Sequence, residues 1–141
     1  PPNMPETVGD VQVLEFRLED RKYCIDIAHV DEIVDKDELT PLPNSEPRVE
    51  GVMDLRGITT TIINPKRVLD LEETETGQRV VVLESDDEDD GSVGWLIDAV
   101  NQVVSIDTDD VDESVESGSV RGIIRQDDDF VVWVKPEEIN N

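Results

Sequence analysis

Cysteine and histidine are almost absent from this chain of 141 residues, which has one of each, Cys24 and His29. A single cysteine excludes an internal disulfide framework and fits a reducing compartment. One cysteine and one histidine are also too few ligands for a zinc site of the usual nitrogen and sulfur type. They could form a nucleophile–base pair, so a small hydrolase using Cys24 and His29 is the enzymatic alternative. Because no other feature supports a nucleophile, two unrelated side chains are the simpler interpretation.

Signatures of nucleotide and metal sites are missing as well. The sequence contains no glycine-rich phosphate loop of either common type. The acidic segment 86–91 superficially resembles a calcium loop, with Asp86, Glu88 and Asp90 at its first, third and fifth positions. The twelfth position is Ile97, where a calcium loop needs glutamate. We therefore predict no metal, no cofactor and no catalytic residue, and expect a protein that binds.

Long apolar runs and aromatic residues are scarce. No segment approaches the ~20 apolar residues of a membrane span, and the N-terminus lacks the basic and apolar regions of a signal peptide. We therefore expect neither direct membrane insertion nor a secretory signal. Aromatic residues make up 4% of the chain, and no basic patch carries interleaved aromatics. Nucleic-acid binding is accordingly not expected.

Positive charge is also in short supply, because 36 acidic residues face 12 lysines and arginines and leave a net charge of -24. The acidic residues are spread along the chain, so nucleic acids and anionic membranes would be repelled. The simplest interpretation is a solvated surface suited to the salt-rich cytoplasm of a halophile, where ions screen the self-repulsion. An alternative is an acidic decoy that binds basic proteins unspecifically.

Short alternating segments separated by turns are what the chain does contain, and the clearest is 51–65. Met53 and Leu55 alternate with the polar residues Asp54 and Arg56, as in a half-buried strand. Gly57 can adopt the positive φ of a tight turn, and the β-branched run 58–63 suits a second strand. Asn64 followed by proline predicts a helix start. Arg56, beside the turn, is the only basic residue between Arg48 and Lys66.

The rest of the chain gives similar predictions. Strands are expected at 11–18, 23–27, 79–84, 93–97, 120–125 and 130–134. We expect a helical turn or irregular edge segment at 28–34, a brief helix from 44 or 45 to 50, short helical segments at 66–69 and 135–139, and a polar loop at 107–118. Residues 1–9, with three prolines, are expected to form a flexible lead-in to one domain, 10–141.

The chain also repeats itself. Segment 51–65 resembles segment 122–136 at an offset of 71, and segment 30–34 resembles 100–104 at an offset of 70. Each half then reads as hairpin, crossover segment, hairpin and short helix. Because five short strands bury little alone, we predict an all-β, mainly antiparallel protein of two intertwined lobes, roughly 10–75 and 76–141, packed on a shared core.

Several segments, in this order, resemble the CheW family of chemotaxis adaptors, in the type expected of a halophilic archaeon. They are segments 23–27, 30–33, 40–44, 51–57, 93–100 and 122–134. The resemblance covers roughly residues 10–139. Two departures are Asp54, where the family usually has asparagine, and the segment 59–66, which replaces an apolar stretch.

The resemblance implies two five-stranded SH3-like β-barrel lobes sharing a core, with short helices. It also implies a cytoplasmic adaptor that couples the tips of methyl-accepting chemoreceptors to the regulatory domain of the histidine kinase CheA. The partner-binding positions that it implies are Val30, Glu32, Ile33, Asp54, Leu55, Arg56, Gly57, Val100 and Gly122. The regulatory domain of a kinase or related signalling protein is an alternative with the same fold.

Each of these positions also has a purely structural interpretation. Arg56 could form an ordinary surface ion pair with Asp54 or Glu50, worth at most ~1 kcal/mol. Val30 and Val100 could belong to the core, and Gly122 could serve backbone geometry alone.

Overall fold

A computed structural model describes residues 10–85 and 91–141. The expected lead-in, 1–9, and most of the acidic segment, 86–90, lie outside the described residues. The described strands are β1 (Asp10–Leu18), β2 (Arg21–Asp26), β3 (Val30–Asp35), β4 (Val49–Leu55), β5 (Ile58–Ile63), β6 (Arg79–Leu83), β7 (Ser92–Ile97), β8 (Ala99–Asp107), β9 (Val111–Asp112), β10 (Val120–Gln126) and β11 (Asp129–Val134). Two short helices are α1 (Pro65–Val68) and α2 (Pro136–Asn140).

The strands form two mixed sheets. The first has the order β8-β1-β2-β11-β10-β9, and the second has the order β3-β6-β7-β5-β4. Neighbouring strands are antiparallel except for the parallel pairs β2–β11 and β5–β7. This confirms the predicted β-class with mainly antiparallel pairing. The first sheet has six strands where five were expected, because β9 adds a two-residue edge strand opposite Ile123 and Ile124.

The two halves of the repeat do not coincide with the two sheets. The first sheet combines hairpin β1–β2 with the late strands β8 to β11, and the second combines hairpin β6–β7 with β3 to β5. The first sheet therefore contains the first hairpin of the first half, together with the crossover strand and second hairpin of the second half. In the second sheet, the contributions of the two halves are reversed. The boundary between residues 75 and 76 therefore separates the two halves of the repeat. It does not separate the two sheets, because each half contributes its first hairpin to the sheet that is built mainly from the other half.

Matched glycines mark where the second hairpin of each half bends. The ladder between β4 and β5 shifts register at Gly51, and the ladder between β10 and β11 shifts at Gly122. A Cβ atom on Gly51 would lie 2.6 Å from the carbonyl oxygen of Thr40, and one on Gly122 would lie 2.8 Å from that of Asp112. Another chain segment crosses closely at both bulges, so only glycine fits.

Two local predictions were wrong, and a third was only partly right. Segment 28–34, expected as a helical turn or irregular edge segment, contains the end of a 3-10 turn and then β3, a regular enough strand at the edge of the second sheet to pair with β6. No helix forms at 44–50, because Asn44 adopts a left-handed turn conformation and Val49 already pairs with Ile63. The expected loop 107–118 includes β9 and two 3-10 turns, which Asp107 and Asp112 cap with their carboxylates.

Among the described residues, the hydrophobic core has three parts. The largest joins the two sheets and confirms the expected shared core; its buried members are Leu14, Phe16, Leu18, Tyr23, Ile25, Ile63, Val81, Leu83, Trp95, Ile97, Val134 and Ile139. The interior of the second sheet contains Met53, Leu55, Ile62, Val80, Val82 and Leu96. The interior of the first contains Val13, Cys24, Ile124, Val131 and Trp133. Among the described helices, none has the length and apolar character that crossing a membrane requires.

Candidate partner-binding site

The hairpin β4–β5 ends in a two-residue turn made by Arg56 and Gly57. Leu55 pairs with Ile58, and both turn residues have positive φ, 50° for Arg56 and 88° for Gly57. Two residues with positive φ form a type I′ turn, which matches the twist of a hairpin. The turn at Gly57 is therefore confirmed, and the left-handed conformation of Arg56 is an additional finding.

Arg56 and Glu32 form an ion pair at this turn. The Nη2 atom of Arg56 donates to Oε2 of Glu32, although Glu32 lies on edge strand β3 and Arg56 directly follows β4, the strand at the opposite edge of the second sheet. The sheet therefore curls until its edges approach. The Arg56 side chain is 66% exposed and that of Glu32 is 31% exposed. From the sequence, Glu50 was one possible partner of Arg56, but in the structure Glu50 forms an ion pair with Arg67 at 3.2 Å.

The apolar positions implied by the resemblance lie deeper. Val30, Ile33 and Val100 are half-buried and pack against the shared core. Val30 pairs with Leu83 and Val100 with Phe16, so the two valines occupy equivalent places in the repeat. Part of each side chain stabilises the packing of the lobes, and their contact with a partner remains a prediction.

The remaining positions divide between the tip and the interior. Asp54 is exposed near the Arg56 turn, whereas Leu55 is only 9% exposed and lines the interior of the second sheet. Gly122 is buried in the first sheet. The structure thus brings Glu32, Asp54, Arg56 and Gly57 to one end of the second sheet, while Val100 and Gly122 belong to the first.

Gly122 is expected to act through the backbone. Gly122→Ala should lower the free energy of unfolding by about 1–3 kcal/mol, because the new methyl group would meet the Asp112 carbonyl and the Val111 side chain at 2.8 Å. Chemical denaturation measures this change, and partner titration of the folded variant should give unchanged affinity. Reduced affinity at full folding would instead assign Gly122 to the binding surface.

Ile58 is a neighbour of the tip that the sequence did not single out. It shares strand parity with the buried residues Thr60 and Ile62 but is 57% exposed, since it lies where the strand begins. An exposed isoleucine beside an exposed arginine combines an apolar contact with a charged donor. In the sequence, the feature that could have identified Ile58 is an apolar β-branched residue directly after the turn, where side chains tend to be exposed.

A buried ion cluster was also missed. The Lys66 side chain, 3% exposed, donates from Nζ to the Glu19 carboxylate, to Asp98 Oδ1 at 3.1 Å and to the Glu75 carbonyl at 2.9 Å. The backbone N–H of Glu19 donates to Asp98 Oδ2 at 2.6 Å. The Asp98 side chain is fully buried. All three ammonium protons of Lys66 therefore have acceptors.

The pKa values in this cluster favour the ionised forms. Hydrogen bonds from Lys66 and then Thr74 lower the pKa of Glu19 to about 2. Burial alone would lower the pKa of Lys66, but its hydrogen bonds to Glu19 and Asp98 outweigh burial and raise it. The cluster is therefore a charged network at neutral pH.

A second internal carboxylate, Glu15, is held by side-chain amides. It accepts hydrogen bonds from Asn101 at 2.8 Å and from Gln102 and Gln126 at 3.1 Å. Burial would raise the pKa of Glu15, yet these three donors lower it. Glu15 therefore remains ionised, and its hydrogen bonds connect β1, β8 and β10.

The structure separates the two residues of the hydrolase alternative. Cys24 is fully buried in the interior of the first sheet, and burial raises the pKa of its thiol to about 12. His29 is exposed in the 3-10 turn before β3. A thiol with this pKa is protonated at neutral pH and is a poor nucleophile, so these residues do not form a catalytic pair.

Titratable residues elsewhere in the described part of the chain do not form a metal-binding group. In the two described ranges, no cluster of three or more histidine, cysteine, aspartate or glutamate side chains could hold a metal ion. The features with functional potential in these ranges are the Arg56–Glu32 tip and the polar clusters around Lys66 and Glu15.

Comparison with known proteins agrees with this description. The chemotaxis protein CheW of Thermotoga maritima is 23% identical over 96% of this chain and 91% of its own length. The chemotaxis protein CheW of Treponema pallidum is 28% identical over 92% of this chain and 82% of its own length. The crystal structure of the scaffolding protein TtCheW from Thermoanaerobacter tengcongensis, 24% identical, covers 89% of this chain and 88% of its own with a TM-score of 0.76, which shows the shared fold. The profile of the CheW-like domain matches residues 12–141, and this chain therefore belongs to the CheW-like domain family.

Proposed function

We propose that this chain is a non-enzymatic adaptor that couples the cytoplasmic tips of methyl-accepting chemoreceptors to the regulatory domain of the histidine kinase CheA. Its membership of the CheW-like domain family and the names of its relatives, chemotaxis protein CheW, support this role. It acts in the cytoplasm and reaches membrane receptor arrays through its partners.

The observation that carries the proposal is the exposed Arg56 tip. Arg56 lies in a type I′ turn, and its guanidinium donates a hydrogen bond to Glu32, which favours one orientation of the exposed side chain. Ile58 offers apolar area beside it. Arginine is one of the residue types enriched among those that contribute most to protein–protein binding. Apolar contacts supply the affinity here, and Arg56 with Glu32 supplies orientation and selectivity.

The adaptor role is favoured over the two other binding roles. Relatives that match almost end to end are named chemotaxis protein CheW, which favours the adaptor over the regulatory domain of a kinase. An acidic decoy would need no specific tip, whereas this surface holds one arginine in a defined turn and pairs it with a single glutamate.

The direct test measures binding to the kinase regulatory domain and to a receptor-tip fragment, separately and together, as the salt concentration rises. Because the Debye length falls from ~10 Å at 0.1 M to ~3 Å at 1 M, affinity that depends on exposed charges would collapse. We expect both partners to bind and the kinase-domain Kd to change by less than about tenfold between about 0.1 and about 3 M KCl. Isothermal titration at each concentration gives the values.

Lysine-rich peptide of matched length is the control in this titration. It should bind only at low salt and should not displace the kinase domain. Displacement by the peptide would support the decoy. Failure of both chemotaxis partners to bind at every salt concentration would refute the adaptor role, and loss of affinity at high salt alone would refute the apolar mechanism.

A further inference from the structure

The buried cluster around Lys66 joins segments that belong to different sheets. Lys66 lies in α1, directly after strand β5 of the second sheet, and Glu19 lies in the turn between β1 and β2 of the first. Asp98 is the single residue between β7 of the second sheet and β8 of the first. The ammonium of Lys66 thus contacts the first sheet and the crossing point between the two.

The carboxylate partners are themselves held from several sides. Glu19 accepts hydrogen bonds from the backbone N–H of Thr74 at 3.1 Å and of Glu75 at 3.3 Å. The backbone N–H of Asp98 donates to the carbonyl oxygen of Arg17 at 3.1 Å. The connector between α1 and β6 is therefore tied to the same cluster, and a shift of one sheet against the other would break several hydrogen bonds at once.

The apolar contacts between the sheets have a different character. The shared core consists largely of valine, isoleucine, leucine and aromatic side chains. Apolar burial stabilises association but is not directional. Hydrogen-bonded charges are directional, and buried ones are screened little by salt.

We propose that the cluster of Lys66, Glu19 and Asp98 is a latch that fixes the position of the two sheets relative to each other. The shared core holds the sheets together, and the latch selects one alignment among those that the apolar faces would allow. The latch thereby positions the Arg56 tip of the second sheet relative to surfaces of the first. Because the latch is buried, it remains in force in concentrated salt, where exposed ion pairs of this acidic chain are screened.

The test measures the distance between the sheets. Thr59→Cys introduces an exposed spin-label site on β5 of the second sheet, and Asp128→Cys introduces one in the turn between β10 and β11 of the first, while buried Cys24 stays unlabelled. Pulsed electron paramagnetic resonance should give one narrow distribution of distances between the two spin labels in the doubly labelled parent chain. Adding Lys66→Met should make the distribution at least about twice as wide, or add a second distance, with the strand content unchanged by circular dichroism.

Arg67→Met is the matched control, because Arg67 lies next to Lys66 in α1 but outside the buried cluster. Its side chain forms surface ion pairs with Glu50 and Glu73 and donates to the Pro47 carbonyl oxygen at 3.0 Å. Arg67→Met should leave the distribution unchanged, and Lys66→Arg should restore a narrow one. If Lys66→Met does not fold, Glu19→Gln decides, since it keeps the contact between Lys66 and Asp98 and should still broaden the distribution. An unchanged width in the folded variant would overturn the latch. This readout needs no partner, so its outcome is independent of the adaptor role.

Discussion

Lys66→Met is expected to lower the free energy of unfolding by about 3–5 kcal/mol, because it leaves the buried carboxylate of Asp98 without its cation. A methionine of similar length fills the space but satisfies no hydrogen bond. The Glu75 carbonyl also loses its donor. Urea denaturation followed by tryptophan fluorescence measures the change, since Trp95 and Trp133 are both buried.

The double variant Lys66→Met with Asp98→Asn tests whether the stability loss comes from the unpaired Asp98 charge or from poorer packing of the methionine. Removing the second charge should recover part of the lost stability, because asparagine buries no net charge. Arg67→Met should change stability by less than about 1 kcal/mol, as expected for a surface ion pair. Equal losses in the free energy of unfolding for Lys66→Met and Arg67→Met would show that the buried ion pairs of Lys66 stabilise the fold no more than the surface pairs of Arg67.

The pH dependence of the cluster follows from the shifted pKa values. Glu19 has a pKa lowered from 4.5 to about 2, so its stabilising contribution is complete above pH 4.5 and disappears as the pH falls towards 2. Lys66 has a raised pKa, so its contribution is complete below its ordinary value of 10.5 and disappears only above it. The stability difference between the parent chain and Glu19→Gln is therefore constant between these limits and shrinks in acid.

The sequence predicted local features well where neighbouring residues determine them. The hairpin β4–β5 depends on alternation around Met53, a glycine in the turn and a β-branched run, and all of these are contiguous. The cap of α1 is similar, because the Asn64 side chain accepts from the Lys66 N–H two residues later at 3.0 Å. Such signals need no knowledge of the rest of the fold.

The repeat predicted two similar lobes but could not predict which hairpin enters which sheet. The same two halves can pair within themselves or exchange hairpins, and the pattern of apolar residues is identical in both cases. Strand β3 was missed for a related reason. Glu32, Ile33 and Val34 are three consecutive half-buried residues of this edge strand, so the alternation that marks a strand is weak.

The candidate site was predicted residue by residue, through the family resemblance, but not as a geometry. Arg56 and Glu32 are 24 residues apart, and only the curled second sheet brings them together. Lys66 is 47 residues from Glu19 and 32 from Asp98, and all three lie in segments that look like ordinary polar surface. In a chain this rich in acidic residues, the sequence cannot identify which few carboxylates become buried partners.

Arg56→Glu is expected to weaken binding of the chemotaxis partner that contacts the tip by about 30-fold, or about 2 kcal/mol, as for a central interface arginine. The fold should persist, because the Arg56 side chain is 66% exposed and lies in the turn of the hairpin. Stability should change by less than about 1 kcal/mol. Titration with the kinase domain and with the receptor tip identifies which partner is affected.

A mutant cycle with Glu32→Gln then defines the role of Glu32. If Glu32 acts by orienting Arg56, Glu32→Gln should weaken binding in the parent chain and have no further effect in Arg56→Gln. Arg125→Glu, on the equivalent hairpin of the first sheet, makes the same charge change and should leave the affinity for that partner unaltered. An equal loss in Arg125→Glu would attribute the effect to net charge. A persistent Glu32→Gln effect in the absence of Arg56 would place Glu32 in direct contact with the partner.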